Sequence, residues 1–375
     1  MGTLNGYKVI ELAGIGPGPM AGMMLADMGA EVIRIERPGN PSSQNLDISH
    51  RGKKSVTINL KDPEGLAITL KLIALSDVLI DPYRPGVCEK LGIGPDICLG
   101  IHPELVYGRI TGWGQDGPLA QAAGHDINYI SITGVLHAIG NSEQPVIPLN
   151  LVGDMGGGGM LLVNGILAAL LERHQSGEGQ VIDAAMVDGS AQQMWMTHSL
   201  QATGQWNTAE RHGNMLDGGA HYYNVYRCSD GKFISLGAIE PQFYSRLIKL
   251  IDPHNKHNLD SQNAQDWKRL KYRLGEIFSQ HPRDYWGTLL DGSDACVAPV
   301  LDIIEAPQHP ANIARDTYNV IDGHVHPAPA PRFSRTPSSI RPGPDKPGSD
   351  TDRILNEAGI SASELSRLRK CGAIG

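Results

Sequence analysis

The residues best suited to acid/base chemistry lie in three short segments of this sequence. GHDINY carries His125, NLVGDMGGGGM carries Asp154, and GAIEPQFY carries Glu240. Imidazoles and carboxylates whose pKa values are adjusted by their surroundings are the usual general acids and bases of enzymes. A histidine alone is more often an ordinary hydrogen-bonded residue than a catalyst, so each assignment depends on what the fold places around it.

Asp154 precedes a run of glycines, Gly156 to Gly159. We expect a strand over PVIPLNLV, then Asp154, then a helix through GGGGMLLVNGILAALLERH. Each glycine in a helix costs about 1 kcal/mol relative to alanine, so the run indicates close approach of a ligand or a neighbouring chain. Tight packing of the helix against a sheet is the alternative. Main-chain N–H groups at the positive end of this helix are suited to stabilising a developing oxyanion.

The GIGPGP segment is similar to a dinucleotide-binding fingerprint. Gly14 and Gly16 fall between the first predicted strand and helix, and Glu36 ends the second strand. Pro17 and Pro19, however, stiffen the loop that would wrap a pyrophosphate, which argues against a nicotinamide dinucleotide. The remaining interpretations are glycines that only make a tight turn, and a loop that lies close to another nucleotide.

Composition restricts the partners of this chain. Its 375 residues carry a formal net charge of -8, whereas nucleic acid and anionic membrane both need a basic surface, so neither is expected as a partner. An anionic ligand would need a local basic pocket. The 5 cysteines show no metal-site spacing and are expected to be reduced thiols of a cytoplasmic protein. The longest apolar stretch, 160–171, is too short to cross a bilayer and predicts a buried core helix.

Short β-branched runs alternate with helical patterns in the first half of the chain, which predicts an open, doubly wound α/β sheet. A helix is expected over 19–30, and Asp62 followed by Pro63 marks the start of another. The predicted strands are 8–12, 31–37, 55–60, 78–83, 105–113 and 180–186.

The second half predicts a smaller α+β domain. Two strands, HYYNVYRC and KFISLGAI, precede a helix from Pro241 to about Ile251 and further helices. Recurrent proline over 327–347 predicts an extended linker, after which two short helices return to the large domain. The predicted division is a large domain at 1–186 and 325–375, linkers at 187–218 and 312–324, and a small domain at 219–311.

Several long segments, in this order, resemble the family III CoA transferases, the CaiB/BaiF group, and within it the α-methylacyl-CoA racemases. The segments are VIELAGIGPGPMAGMMLADMGAEVIRIERPG, RGKKSVTINLKDPEG, DVLIDPYRPGVCEKLGIGPD, AGHDINYISITGVLHAIG, NLVGDMGGGGM and LGAIEPQFY. The resemblance implies a Rossmann-like large domain built from both chain ends, a small domain, and two chains interlocked as a homodimer.

The resemblance also implies roles for the three acid/base candidates. The histidine at His125 separates the racemases from the transferases of the family, and Asp154 and Glu240 match the racemases' aspartate and supporting glutamate. Inverting a carbon α to a thioester requires a proton to leave one face and another to arrive at the opposite face. His125 and Asp154 are therefore expected to act as the opposed groups through an enolate, with Glu240 holding the imidazole tautomer.

CoA carries phosphates, so cations are expected near the carboxyl ends of the strands. Lys90 stands where many relatives have arginine, and Asp126 is expected to orient the loop or the substrate. No metal and no cofactor besides the CoA of the substrate are expected. By resemblance the substrate contacts are Arg37, Ile58, Asn59, Leu60, Lys61, Pro82, Tyr83, Arg84, Lys90, Gly124, Asp126, Ile127, Asn128 and Tyr129.

The sequence thus predicts an enzyme that interconverts (2R)- and (2S)-2-methylacyl-CoA thioesters. One alternative is a CoA transferase in which Asp154 is a covalent nucleophile, and another is a non-catalytic acyl-CoA binding protein. Methionines adapt to several acyl shapes, although core packing explains them equally well. Those that approach the acyl group by resemblance, with one tryptophan, are Met194, Trp195, Met196 and Met215.

Overall fold

Six parallel strands form the largest sheet in the computed structural model, which describes residues 2–39, 47–344 and 346–375. The strands of the chain are β1 Lys8–Leu12, β2 Glu31–Glu36, β3 Lys53–Thr57, β4 Val78–Asp81, β5 Val106–Thr111, β6 Val181–Ala185, β7 Tyr223–Arg227, β8 Phe233–Gly237, β9 Val297–Val300, β10 Tyr318–Ile321 and β11 His324–Pro327. The order in the parallel sheet is β3-β2-β1-β4-β5-β6, the Rossmann order, and the prediction of a parallel α/β sheet is confirmed.

Helices connect and cover the strands. They are α1 Pro17–Asp27, α2 Pro63–Ala74, α3 Val87–Lys90, α4 Pro95–Ile101, α5 Asp126–Ile132, α6 Val135–Ala138, α7 Leu161–Ser176, α8 Met186–Gln193, α9 Trp195–Ala202, α10 Pro241–Ile251, α11 Trp267–Phe278, α12 Arg283–Leu290, α13 Pro310–Ala314, α14 Thr351–Glu357 and α15 Ala362–Cys371. A π-helix, Leu151–Met160, runs directly into α7 and is called the π segment below. Short 3-10 turns occupy Ile48–His50, Ala264–Asp266 and Ala306–Gln308.

Both faces of the parallel sheet are buried. Val9 of β1 belongs to an apolar cluster with residues of α1 and α7, whereas its neighbour Ile10 belongs to a cluster with residues of α2, α14 and α15. Successive strand residues point to opposite faces, so this alternation places helices on both sides of the sheet. The predicted return of two C-terminal helices to the large domain is confirmed by Leu355 and Leu368, which are buried in the second cluster.

Local signals set the helix starts. Asp62 accepts the N–H groups of Glu64 at 2.9 Å and Gly65 at 3.3 Å, which confirms the predicted cap of α2. Helix α1 begins at Pro17 rather than at the predicted Pro19, because Gly16, with φ 69°, is the capping residue.

The chain divides into two units. The parallel-sheet unit comprises Met1–Thr133, Leu149–Gln193 and Asn319–Gly375, and the small-sheet unit comprises Gly134–Pro148 and Met194–Tyr318. Residues 194–218 and 312–318, expected in linkers, group with the small-sheet unit. Side-chain bonds to main-chain oxygens hold them there: Lys271 Nζ donates to Gly218 O at 2.6 Å, and Asn312 Nδ2 donates to Ala306 O at 2.8 Å.

The small-sheet unit is built on the antiparallel sheet β7-β8-β9. Both predicted strands and the helix over Pro241–Ile251 are present. Its apolar core joins Ile234 and Leu236 of β8 to Leu247 of α10 and to Leu274 and Phe278 of α11. This separate core gives α10 and the turn before it a rigid base.

The residues before Asp154 are not the predicted strand. PVIPLNLV shows only an isolated bridge between Gly140 and Pro145 before the π segment begins at Leu151. Pro145 and Pro148 lack the N–H groups that a strand needs for pairing. Asp154 therefore lies inside a helix, where the first bond of π type joins Met155 N–H to Asn150 O at 3.3 Å.

Packing between helices explains most of the glycine run in the π segment. A Cβ on Gly157 would lie 2.8 Å from the main-chain nitrogen of Ser190 in α8. A Cβ on Gly158 would lie 2.9 Å from Met186, and one on Gly159 would lie 3.1 Å from Pro17 O in α1. Helices α1 and α8 of the same chain thus leave no room for side chains at these positions. The expected close approach of a ligand is not needed to explain the glycines.

The π segment and α7 together form one helix of 26 residues, Leu151–Ser176, which by length and composition is able to cross a membrane. The apolar stretch 160–171 lies inside this longer helix, which begins at Leu151. Leu162, Ile166 and Leu170 of this helix pack in the core of the parallel-sheet unit, which supports the prediction of a core helix.

A buried ion pair lies against the first turn of α1. Lys53 Nζ lies 2.6 Å from Glu11 Oε2, and both side chains are fully buried. Arg34 lies 3.5 Å from the same carboxylate. Lys53 also donates to Pro19 O at 2.9 Å, so the pair ties β1 and β3 to the first turn of α1. Burial raises the pKa of Glu11 and lowers the pKa of Lys53, as expected when low-dielectric surroundings penalise charge.

Candidate active site

His125 caps the N-terminus of α5 with an exposed side chain. Its N–H donates to Asn128 Oδ1 at 3.1 Å, and its carbonyl oxygen accepts the Asn128 N–H at 2.8 Å. These bonds fix the main chain of His125 on the first turn of α5. The imidazole stays accessible, as proton transfer to a bound ligand requires.

Tyr129 supports the segment that carries His125. Its side chain is buried, and its hydroxyl donates to Gly124 O at 2.5 Å. The ring meets Trp113 edge to face, with centroids 4.8 Å apart. A Cβ on Gly124 would lie 2.8 Å from the Tyr129 ring, and a Cβ on Gly112 would overlap it. Gly112 and Gly124 therefore leave room for the Tyr129 ring, which packs against the segment that carries His125 and fixes its position.

Asp154 lies in the first turn of the π segment and is half-buried. Asn150 Nδ2 donates to Asp154 Oδ2 at 3.2 Å. Burial raises the pKa of the Asp154 carboxyl, the Asn150 amide and the charge of His125 oppose this, and the charge of Asp126 adds to it. His125 and Asp154 thus lie close enough to interact electrostatically. A raised carboxyl pKa brings proton exchange nearer to neutral pH.

The remaining residues of the GHDINY segment surround His125. Asp126 is buried at the start of α5 and accepts the Asp154 N–H at 2.7 Å. Gly124 packs on Trp113, whereas Ile127 and Asn128 are exposed. One hydrogen bond therefore joins the histidine segment to the aspartate segment.

The GIGPGP loop lies beside Asp154. A Cβ on Gly16 would lie 3.7 Å from Asp154 Oδ2, and a Cβ on Gly14 would lie 2.7 Å from Pro82. Glu36 is buried, pairs with Arg34 Nε at 2.8 Å and accepts the Ser55 hydroxyl at 2.9 Å, so it is not available to a ribose. The loop therefore packs against the residue Asp154. Because Glu36 is engaged, no carboxylate remains at this position to bind the ribose of a dinucleotide, which argues against that interpretation.

The expected CoA-binding cations lie at the carboxyl edge of the parallel sheet. Arg37 follows β2, Lys61 follows the end of β3, Arg84 follows β4, and Lys90 ends α3. All four side chains are exposed. Parallel strands present this edge to ligands in open α/β sheets, so the placement is compatible with phosphate binding.

Two of the expected CoA segments are held by main-chain contacts. Ile58 is buried and bridges Ile374, and the Asn59 N–H donates to Ala373 O at 2.9 Å. Asn59 Oδ1 accepts the Lys61 N–H at 3.2 Å, and Leu60 packs partly against the core. The side chain of Ile58 is therefore part of the core in this chain.

The Pro82–Arg84 loop is anchored by a buried carboxylate. Asp81 Oδ1 accepts the Tyr83 N–H at 2.9 Å, and Arg109 lies 3.4 Å from Asp81 Oδ2 and 2.5 Å from Glu89. Tyr83 packs partly against the apolar core, which leaves Arg84 as the exposed group of the loop.

Glu240 belongs to the small-sheet unit. It precedes Pro241 as the capping residue of α10, and its side chain is exposed. Its charge adds to burial in raising the pKa of the Cys296 thiol. Of the residues expected near the acyl group, Trp195 and Met196 are exposed, whereas Met215 packs against the core of this unit.

Sequence reasoning missed Asn150, Trp113 and Gly112. Asn150 stands four positions before Asp154, a spacing at which side chains meet on a helix, and this signal was available once a helix was assumed there. Trp113 and Gly112 carry no local signal, because their role depends on the Tyr129 ring that packs on them.

Known proteins resemble this chain over nearly its whole length. The family model described as CoA-transferase family III matches residues 4–351. Alpha-methylacyl-CoA racemase of Mus musculus is 42% identical over 371 residues, covering 98% of this chain and 96% of that protein. Alpha-methylacyl-CoA racemase of Homo sapiens is 42% identical over 375 residues, with the same coverage of 98% and 96%.

More distant relatives share the fold. Succinyl-CoA:glutarate CoA-transferase of Homo sapiens is 29% identical over 386 aligned positions, covering 94% of this chain and 85% of that protein. A crystal structure of a CAIB/BAIF family protein from Brucella suis matches with a TM-score of 0.81 and 26% identity, covering 95% of this chain and 99% of that one.

Proposed function

This chain belongs to CoA-transferase family III, and on that premise we propose that it racemises the α-carbon of 2-methyl-branched acyl-CoA thioesters. The observation that carries the proposal is the hydrogen bond between Asp126, the neighbour of His125, and the Asp154 N–H in the parallel-sheet unit, and the charge of His125 also acts on Asp154. The names of the two relatives at 42% identity support the same reaction.

The proposed reaction replaces the α-proton by a proton on the opposite face, so the composition of the substrate is unchanged and its configuration is inverted. One group removes the α-proton from one face of the carbon, and the electron pair passes into an enolate of the thioester. The other group, already protonated, returns a proton to the opposite face. His125 and Asp154 serve in opposite order for the two enantiomers, and Glu240 is proposed to support the imidazole. A positioned acid/base group typically contributes about 10² to 10⁴ in rate, so enolate stabilisation must supply more.

Stabilising the enolate oxygen requires hydrogen-bond donors near the acid/base groups. We expected them at the glycine run, but Gly156 to Gly159 lie inside the π segment, past its first turn, and the Asp154 N–H before them is bonded to Asp126. The N–H groups of Asp126 and Ile127 come before the first intrahelical bond of α5, from Asn128 N–H to His125 O, and they lie next to His125. These two groups are the proposed donors.

The experiment that tests this function follows (2R)- and (2S)-2-methylacyl-CoA thioesters separately by chiral chromatography. Appearance of the opposite enantiomer from each, with no added carboxylic acid, is the expected result. A covalent transferase would instead move CoA to an added acid, and a non-catalytic binder would return both substrates unchanged.

We expect Arg37→Ala to raise KM for acyl-CoA thioesters about 10- to 100-fold, as loss of a charged hydrogen bond of about 1.5–3 kcal/mol implies. A phosphate contact far from the α-carbon is equal in ground and transition states, so kcat should change little. Steady-state kinetics beside Arg353→Ala, a change at an exposed arginine of α14, check this. An unaltered KM removes Arg37 from the CoA site.

A homodimer of interlocked chains is part of the proposal, and exposed apolar side chains support it. Leu171 is 66% exposed, Trp195 68% and Ile303 86% in the single chain. Separate residues of this kind are ordinary, but their number fits surfaces that a second copy covers. We expect light scattering to give twice the mass of the chain at micromolar concentration, because separating interlocked chains requires partial unfolding. A monomeric mass contradicts this expectation.

A further inference from the structure

Asp126 joins the two segments that carry the acid/base groups. It directly follows His125, its side chain is only 5% exposed, and its Oδ1 accepts the Asp154 N–H at 2.7 Å. A charged acceptor shortens and strengthens such a bond relative to a neutral one. The contact spans 28 positions of sequence and is made inside the parallel-sheet unit.

The start of the π segment leaves the Asp154 N–H in need of an acceptor. The first bond of π type there is donated by Met155, so the N–H of Asp154 precedes it. The first N–H groups of a helix have no partner within the helix and must find one elsewhere. Asp126 supplies that partner at the residue proposed to exchange the proton.

Gly153 makes this approach possible. A Cβ at this position would lie 2.6 Å from Asp126 Oδ1, closer than real side chains come. Gly153 is buried, and the same Cβ would also lie 3.3 Å from the Ile130 side chain. The sequence therefore provides both the Asp126 carboxylate and a glycine at position 153, which leaves room for that carboxylate.

We propose that Asp126 is a positioning residue for the racemase reaction proposed above, fixing the main chain of Asp154 relative to His125. The inference rests on that proposed function. Asp126 acts on the substrate through Asp154 rather than by taking the α-proton itself. Among the described residues its Oδ2 is buried without a hydrogen-bond partner. The charge of Asp126 also acts on Asp154 and raises the pKa of that carboxyl.

The charges around Asp154 determine what loss of Asp126 does to its titration. From α5 and its cap, the Asp126 charge raises the pKa of Asp154 and the His125 charge lowers it. Tyr129 also faces Asp154, and its own pKa is raised, mainly by burial. On the side of α1, Gly16 carries no charge. Removing the charge of Asp126 therefore lowers the pKa of Asp154.

Asp126→Ala and Asp126→Asn separate the hydrogen bond from the charge. Asp126→Ala removes the acceptor, and we expect kcat to fall about 10- to 100-fold with little change in KM, because small misplacements of reacting groups have effects of this size. Asp126→Asn keeps an acceptor oxygen, so kcat should fall less. In Asp126→Asn the acidic limb of the kcat/KM profile, for the enantiomer that Asp154 deprotonates, should move to lower pH.

Asp252→Asn is the matched control. Asp252 is a buried carboxylate of the small-sheet unit that accepts the N–H groups of Lys256 at 2.9 Å and His257 at 2.8 Å. We expect this variant to keep the wild-type acidic limb. An acidic limb unmoved in Asp126→Asn, or wild-type kcat in Asp126→Ala, overturns the inference. If Asp126→Ala does not fold, the profile of Asp126→Asn decides. A wild-type protein that does not racemise would instead overturn the proposed function.

Discussion

Replacing His125 by alanine is expected to abolish racemisation while leaving one-sided proton exchange intact. In D2O the wild-type enzyme should place deuterium in both enantiomers of a 2-methylacyl-CoA thioester. In the proposed mechanism Asp154 serves one side of the α-carbon, so His125→Ala should exchange only the enantiomer whose proton points toward Asp154. We expect kcat/KM for racemisation to fall below detection, a loss at least as large as the factor of about 10² to 10⁴ that a positioned acid/base group usually contributes.

Asp154→Asn should show the mirror pattern, with exchange confined to the other enantiomer. Mass spectrometry of each enantiomer after chiral separation measures both variants, with His254→Ala as a control at an exposed histidine of the small-sheet unit. If both variants exchange both enantiomers, one group serves both faces and the assignment is wrong. Inactivation by hydroxylamine during turnover would reveal an acyl intermediate on Asp154 and favour the transferase reaction.

Lys53→Met is expected to lower the free energy of unfolding by about 3–5 kcal/mol, because it leaves a buried charge without its partner. Glu11 and Lys53 are 2.6 Å apart and fully buried, and Arg34 makes a longer ion pair with the other oxygen of the same carboxylate, at 3.5 Å, which offsets the lost ammonium only in part. Domains are typically stable by about 5–15 kcal/mol, so this loss would bring the protein close to unfolding. Urea denaturation followed by circular dichroism measures it.

The neighbouring residue provides the control. Lys54 on the same strand pairs with Glu31, but both side chains are about one-third exposed, so Lys54→Met should cost about 0–1 kcal/mol. The double variant Glu11→Leu/Lys53→Met removes both charges and should recover most of the stability lost in Lys53→Met. Equal losses in Lys53→Met and Lys54→Met would show that burial of this pair does not matter to stability.

The sequence determined the features that depend on neighbours along the chain. Alternation of apolar runs predicted the strands of the parallel sheet, and Asp62 with Pro63 predicted the start of α2, because capping and side-chain periodicity act over a few residues. His125 and Asp154 were predicted from their residue types and from the resemblance of their segments to the family. The structure joins these two segments by one hydrogen bond.

Only the tertiary structure decided how those residues are held. The π-helical setting of Asp154 arises where α1 and α8 pack on its glycines, and the prediction of a strand there failed because it considered only the local β-branched pattern. Tyr129 turned inward because Gly112 and Gly124 leave room for its ring. Glu36 is engaged by Arg34 and Ser55 on its own sheet. Each outcome depends on groups that are distant in sequence and meet only on folding, and no local spacing records such contacts.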